Sequence, residues 1–173
     1  NLTIPHKVEV IKYLDGISDA AAMMGAVNCI VRKDDQLLGE NTDGKGFVQS
    51  LKEVTDPSGK KIVMFGAGGA ARAIGVETAL AGAAEITIVN RSTERGEALA
   101  QLLQEKTRVP TTFTKWDGNY SLADDVDVVI NATSIGLFPD VDAVFPLDFA
   151  SLKSNMIVSD VIPNPPETHL LRE

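Results

Sequence analysis

The sequence holds one cysteine in 173 residues, only 5% aromatic side chains, and 16 lysines and arginines against 24 aspartates and glutamates. Cys29 has no second thiol with which to form an internal disulfide, which points to a reducing, cytoplasmic setting. No apolar run approaches the roughly 18 residues that a membrane-spanning helix needs. The shortage of basic residues leaves a formal net charge of −8, which argues against a nucleic-acid partner, because such binding draws most of its affinity from Lys and Arg neutralising phosphates. A small-molecule ligand is the remaining expectation. No metal site is assigned, and a homodimer is one of the assemblies left open. A hydrophobic content of 44% is enough for one full domain and part of another. The chain opens on Asn1 rather than Met, directly into Leu2-Thr3-Ile4-Pro5, which looks like the interior of a strand and its exit; this reads as a piece of a longer protein.

From Lys60 onward the pattern is regular. The apolar run 62–65, a glycine-rich turn and the alanine-rich stretch 70–81 predict strand, loop and helix. A β-branched run at 85–89, helical spacing over 93–104, and short apolar or β-branched runs at 111–114, 126–130 and 156–158 continue the series. Continuous apolar runs of this kind belong to strands buried on both faces, and their alternation with helices predicts a doubly wound parallel α/β sheet, the Rossmann arrangement, over residues 43–173. Residues 1–42 do not repeat that pattern. Helices are expected at 8–14 and 19–24 and a hairpin at 27–31 and 36–39, so this part is read as the remnant of a smaller α/β substrate domain. A further helix follows over 44–54, and the polar residues 55–60 form a surface connection.

The turn Gly66-Ala67-Gly68-Gly69-Ala70-Ala71 follows a predicted strand and opens a predicted helix, the context in which G-x-G-x-x-G/A binds a dinucleotide. The first glycine allows the tight turn, the second lets the backbone approach a pyrophosphate, and the small Ala71 lets helix pack on strand. Phosphates would then meet the free N–H groups and positive dipole end of the helix. A rival phosphate loop, Gly39 to Gly46, has Walker A spacing but ends on a glycine with no hydroxyl for Mg²⁺ and places Glu40 and Asp43 against the phosphates.

An NAD site usually ends its second strand in an acidic residue; here the strand ends Asn90-Arg91-Ser92, with Arg95 one helical turn on. Two guanidinium groups and a hydroxyl suit the 2′-phosphate of NADP, although Glu94 and Glu97 offer the arginines ordinary surface partners. Asn131 to Gly136 brings Thr133 and Ser134 to a carboxyl end of the sheet, where ligands bind in open α/β folds, and Val161 after the last strand joins the same cofactor set.

Alcohol dehydrogenation also needs a proton acceptor beside the hydroxyl, and a donor in reverse. Lys7 and Asp43 are the candidates, although Asp43, just ahead of a helix, equally suits an N-cap. A free lysine ionises near 10.4 and an adjacent carboxylate raises that value, so the role is expected to be shared.

The ordered set NLTIPHK, GAVNCI, ENTDG, GAGGAARA, NRSTER, INATSIG and DVIPNPPETHLL resembles the shikimate dehydrogenase family over essentially the whole chain. The resemblance implies NADP-dependent, reversible reduction of 3-dehydroshikimate to shikimate, a cyclohexene carboxylate. It matches Lys7 and Asp43 to the family's catalytic pair, Thr3 and Asn28 to its substrate-hydroxyl contacts, and Asn90, Arg91, Ser92 and Arg95 to its 2′-phosphate clamp. Three departures bear on substrate. The family's hydroxyl pair upstream of the Lys motif and its C-terminal segment with a Gln have no counterpart here. Pro163 stands where Tyr is common, and His169 where Pro is usual. Quinate or aminoshikimate relatives, and a non-catalytic NADP(H)-binding module, are the alternatives. This stretch alone is expected to turn over little substrate.

Overall fold

The computed structural model describes residues 1–3 and 6–173; the Ile4-Pro5 step, where the sequence suggests the exit from a strand, lies outside the described residues. The small N-terminal part contains α1 (His6–Glu9), β1 (Gly16–Ile17), α2 (Asp19–Met24), β2 (Cys29–Lys33) and β3 (Gln36–Glu40). The expected hairpin is present, with Asp34 at positive φ in its turn, and β1 adds parallel to β3 on the other side. Residues 8–14 do not form the single helix that their spacing suggests. One α-helical turn gives way to a 3-10 turn at Val10–Tyr13, with no buried residue in either, so no packed face propagates the helix.

The larger part is a five-stranded sheet, every pair parallel, built from β4 (Lys61–Phe65), β5 (Glu85–Asn90), β6 (Thr111–Lys115), β7 (Val128–Asn131) and β8 (Ile157–Asp160) in the order β6-β5-β4-β7-β8. β4 is central because its residues are apolar on both faces. Ile62 and Met64 enter a core with α3 (Asp43–Lys52), α4 (Gly69–Leu80) and α5 (Thr93–Thr107), while Val63 and Phe65 enter the core on the opposite face. A short α6 (His169–Arg172) ends the chain. No described helix is long and apolar enough to cross a membrane.

The opposite face is covered mostly by loops, with Leu170 of the short α6 joining its core. The β6-to-β7 connection is rich in Asp, Asn, Ser and Gly, and the β7-to-β8 connection carries Pro139 and Pro146, so each runs as turns, with a 3-10 turn at Phe149–Ser151. The few aromatics are concentrated here: the Phe65 ring lies 4.9 Å from Trp116 and 5.0 Å from Phe145, and Trp116 Nε1 donates to the Pro146 carbonyl.

Two close approaches set the layout of the site. A Cβ on Gly44 would stand 2.3 Å from the Ala73 carbonyl oxygen, so glycine there lets the start of α3 lie directly on α4. Gly66 has φ +111, and a Cβ there would stand 2.7 Å from the Ala132 carbonyl oxygen, which brings the glycine turn against the end of β7. Strand order reverses between β4 and β7, and the crevice at their carboxyl ends is the ligand-binding position of such sheets.

Candidate functional site

The small part and the sheet domain meet at Asp43. Lys7 Nζ lies 2.6 Å from Asp43 Oδ2, and Asn28 Nδ2 donates to Asp43 Oδ1 at 2.6 Å and to Thr42 Oγ1 at 3.0 Å. Asn28 Oδ1 accepts from the Thr42 N–H, so both ends of its amide are engaged. Asp43 is the first residue of α3 and not its cap; Thr42 holds the cap position and makes no side-chain cap hydrogen bond. The Asp43 N–H is taken instead by Asn41 Oδ1, and Asn41, 1% exposed, is tied through Nδ2 to the Ala26 carbonyl. Lys7 is placed by its backbone, whose carbonyl accepts from the Val27 N–H. Both charged side chains stay partly open, at 27% for Lys7 and 39% for Asp43. Thr3 is exposed nearby in the chain, its carbonyl accepting from the His6 N–H.

One cavity of about 420 Å³ gathers Gly66, Ala67, Gly68, Gly69 and Ala70 with Asn90 and Arg91 from the end of β5, Thr133 and Ser134 after β7, and Val161 after β8. Trp116 and Pro163 also line it. A Cβ on Gly68 or Gly69 would meet nothing within 4 Å, so these two glycines front open space beside the amide groups that start α4. Ser92 caps α5, accepting from the Arg95 N–H, and Asn90 Nδ2 donates to the Ser92 carbonyl, which shapes the turn carrying Arg91. Lys115 Nζ donates to the Arg91 carbonyl. Arg91 and Arg95 are exposed, and neither pairs with a carboxylate among the described residues, so the surface pairing that Glu94 and Glu97 offered does not form. Arg95 lines a separate cavity on the other flank of the turn. The Walker-like stretch is not a phosphate loop, since Gly39 and Glu40 belong to β3, Asp43 opens α3 and just residues 41–42 connect them.

The loop after β7 is held from beneath. Asn131, fully buried, accepts from both the N–H and the hydroxyl of Thr133 and donates to Asp160 Oδ1 at 3.1 Å. Asp160 Oδ2 accepts from Thr168 Oγ1 at 2.6 Å. Sequence reasoning had no signal for Asn41, Asp160 or Trp116, because the Ala26 carbonyl that anchors Asn41, the Asn131 amide that binds Asp160 and the cavity that Trp116 lines come together only on folding.

A parallel sheet in this order, with a glycine turn at its switch point and unpaired guanidinium groups past the second strand, defines a dinucleotide-binding α/β domain. The chain belongs to the shikimate dehydrogenase family: the family model for shikimate / quinate 5-dehydrogenase matches residues 49–138, and that for the shikimate dehydrogenase substrate binding domain matches residues 1–30. Shikimate dehydrogenase (NADP(+)) of Desulforamulus reducens is 44% identical over 99% of this chain and 60% of its own length. Among solved structures, the ligand-free 5-ketofructose reductase of Gluconobacter sp. strain CHM43 is 51% identical with a TM-score of 0.95, over 99% of this chain and 62% of that one. A shikimate dehydrogenase in complex with NADP⁺ is 42% identical with a TM-score of 0.88, over 100% of this chain and 60% of that one. The chain therefore spans about 60% of the length of the curated relatives it matches.

Proposed function

We propose that the intact protein is an NADP-dependent dehydrogenase that interconverts 3-dehydroshikimate and shikimate, with residues 43–173 forming its cofactor domain and residues 1–42 part of its substrate domain. The observation that carries this reading is the single cavity in which the glycine turn, Asn90, Arg91, Thr133, Ser134 and Val161 converge, with the Lys7–Asp43 pair beyond it at the start of α3. The open space in front of Gly68 and Gly69 fits a pyrophosphate on the amides of α4, and Arg91, Ser92 and Arg95 are the groups for a 2′-phosphate. NADPH, when bound, supplies the hydride. Lys7 Nζ holds the proton delivered to the carbonyl oxygen in reduction and takes it back in oxidation, and Asp43 anchors that ammonium while accepting from the same hydroxyl. Asn28 fixes the Asp43 carboxylate and, with Thr3, meets the substrate's other hydroxyls.

A second reading is reduction of a keto sugar. The 51% identity to a 5-ketofructose reductase favours it, and Pro163, which lines the cofactor cavity where the family commonly has Tyr, departs from the shikimate pattern without naming a substrate. Both substrates present a carbonyl with a hydroxyl on an adjacent carbon, so one Lys–Asp pair serves either. Steady-state NADPH oxidation by the purified intact protein, with 3-dehydroshikimate and 5-ketofructose in parallel, separates them. A kcat/KM favouring 3-dehydroshikimate supports the first reading, and the reverse order replaces it with the second. Tight NADPH binding with no reduction of either ketone, and no oxidation of quinate when NADP⁺ is supplied, leaves a non-catalytic module.

A further inference from the structure

Arg72 belongs to none of the groups above. It lies in the first turns of α4, its N–H donating to the Gly68 carbonyl at 2.9 Å, and long side chains on a helix lean back toward its N-terminus. Its guanidinium thus returns to the glycine turn on the flank away from the main cavity. There a second cavity, of about 310 Å³, is bounded by Ala67, Gly68, Gly69, Arg72 and Arg95, with Gly25 at the C-terminal end of α2 opposite.

The bonding of Arg72 is incomplete. Its Nε is buried and has no hydrogen-bond partner among the described residues, and no carboxylate stands within ion-pair distance of Arg72 or of Arg95. That is costly for a guanidinium N–H and unexpected in a chain with 24 carboxylates against 16 cationic side chains. The C-terminal end of α2 accounts for part of the placement, because a Cβ on Gly25 would stand 3.9 Å from Arg72 Nη1 and a cation is favoured at that end of a helix. It leaves Nε unsatisfied. A planar fork with an unpaired N–H, sharing a cavity with a second arginine and the free amides of a helix start, matches a phosphate group.

We propose that Arg72 is a phosphate-binding residue for the dinucleotide, working with Arg95 from the flank of the glycine turn opposite Arg91. This rests on the reading of the chain as a nicotinamide dinucleotide-binding protein. The phosphate is either the 2′-phosphate or the pyrophosphate, and the two differ in what they do to NAD⁺.

The test is calorimetric titration of NADP⁺ and NAD⁺ into the intact protein as wild type, Arg72→Gln and Arg72→Lys, with Arg32→Gln, exposed on the hairpin, as the control for net charge. Arg72→Gln is expected to weaken NADP⁺ about ten-fold or more, the scale of a lost charge-assisted hydrogen bond, with Arg72→Lys intermediate and Arg32→Gln within about two-fold of wild type. An equal loss for NAD⁺ assigns the pyrophosphate, and unchanged NAD⁺ affinity assigns the 2′-phosphate; either supports the proposal. If Arg72→Gln does not fold, Arg72→Lys is read in its place. Variants that melt at lower temperature yet bind both cofactors like wild type overturn the proposal and leave Arg72 a support for α2. Wild-type protein that binds NADP⁺ while both variants match it sinks this inference alone, whereas wild-type protein that binds neither cofactor sinks it together with the reading it rests on.

Discussion

Lys7 and Asp43 are 36 positions apart in the chain, yet Nζ of the lysine lies 2.6 Å from Oδ2 of the aspartate. The contact joins the two parts of the molecule at the start of α3, and a surface ion pair in that place would be worth well under about 1 kcal/mol. Its partial exposure and the second hold from Asn28 are better explained by chemistry than by stability. Lys7→Ala and Asp43→Asn in the intact protein should each lower kcat by about 10² to 10⁴ while leaving the melting temperature and NADP⁺ affinity close to wild type. Wild-type turnover in either variant, measured where chemistry limits the rate, would remove that residue from the mechanism.

Cofactor choice is expected to rest on Arg91. Its side chain is exposed, pairs with no carboxylate among the described residues, and lines the same cavity as the glycine turn. Arg91→Ala should weaken NADP⁺ roughly ten-fold or more and leave NAD⁺ nearly unchanged, since only NADP carries the 2′-phosphate. Equal losses for both cofactors in a binding titration would refute the assignment.

The sheet domain was largely readable from sequence because its cues are local. The apolar run of β4, the glycines after it and the small residues of α4 sit side by side in the chain, and the expected strands all appear, with β7 beginning at Val128 instead of 126 and β8 running on to Asp160. The front part was less readable. β1 is two residues long and shows no periodicity, and residues 8–14 have helical spacing but bury no side chain in either of their two turns. Asn41 and Asp160 carry no local signal of their own, because the Ala26 carbonyl, the Asn131 amide and the Thr168 hydroxyl that they bind come near only after folding. Arg72 was hidden for the same reason, inside a motif read for its glycines.

Stability should depend on pH through Asp127. Its carboxylate accepts from the Lys61 N–H at 2.9 Å and from Lys60 Nζ at 3.1 Å, tying the start of β4 to the approach to β7. The Lys61 N–H, helped by the Lys60 ammonium, holds the Asp127 carboxyl below its ordinary 3.8 in spite of partial burial. Since the folded value is the lower one, the unfolded chain binds the proton more readily, and stability rises with pH through this range. The contribution is complete above 3.8 and is lost as pH falls through the folded value. Asp127→Asn should therefore cost about 1 kcal/mol at pH 7. Denaturant midpoints of variant and wild type should draw together only as pH falls below 3.8 and through the folded value, and a gap that does not narrow with falling pH would show that charge is not the cause.

Asp160 should govern the nicotinamide end of the site without touching the phosphates. Its carboxylate accepts from the fully buried Asn131 amide, from Thr168 Oγ1 and from the Ile162 N–H, so the Asn131 amide can present only its oxygen to Thr133. Asp160→Ala strands two buried donors, at about 1 to 3 kcal/mol each, and frees Asn131 to rotate. The Thr133–Ser134 segment then loses its fixed height above β7. Displacement of even about 1 Å between reacting groups can cost a hundred-fold in rate, whereas the pyrophosphate and 2′-phosphate contacts proposed for Gly66 to Arg95 should be unaffected. The expected result is a kcat lowered ten- to a hundred-fold, on the order of that geometric penalty, with the Kd for NADP⁺ within a few-fold of wild type. Asp160→Asn, which keeps one carbonyl acceptor for Asn131, should recover much of the rate. If Asp160→Ala instead lowers the melting temperature and leaves kcat intact, the network supports the fold alone and the loop is positioned by other contacts.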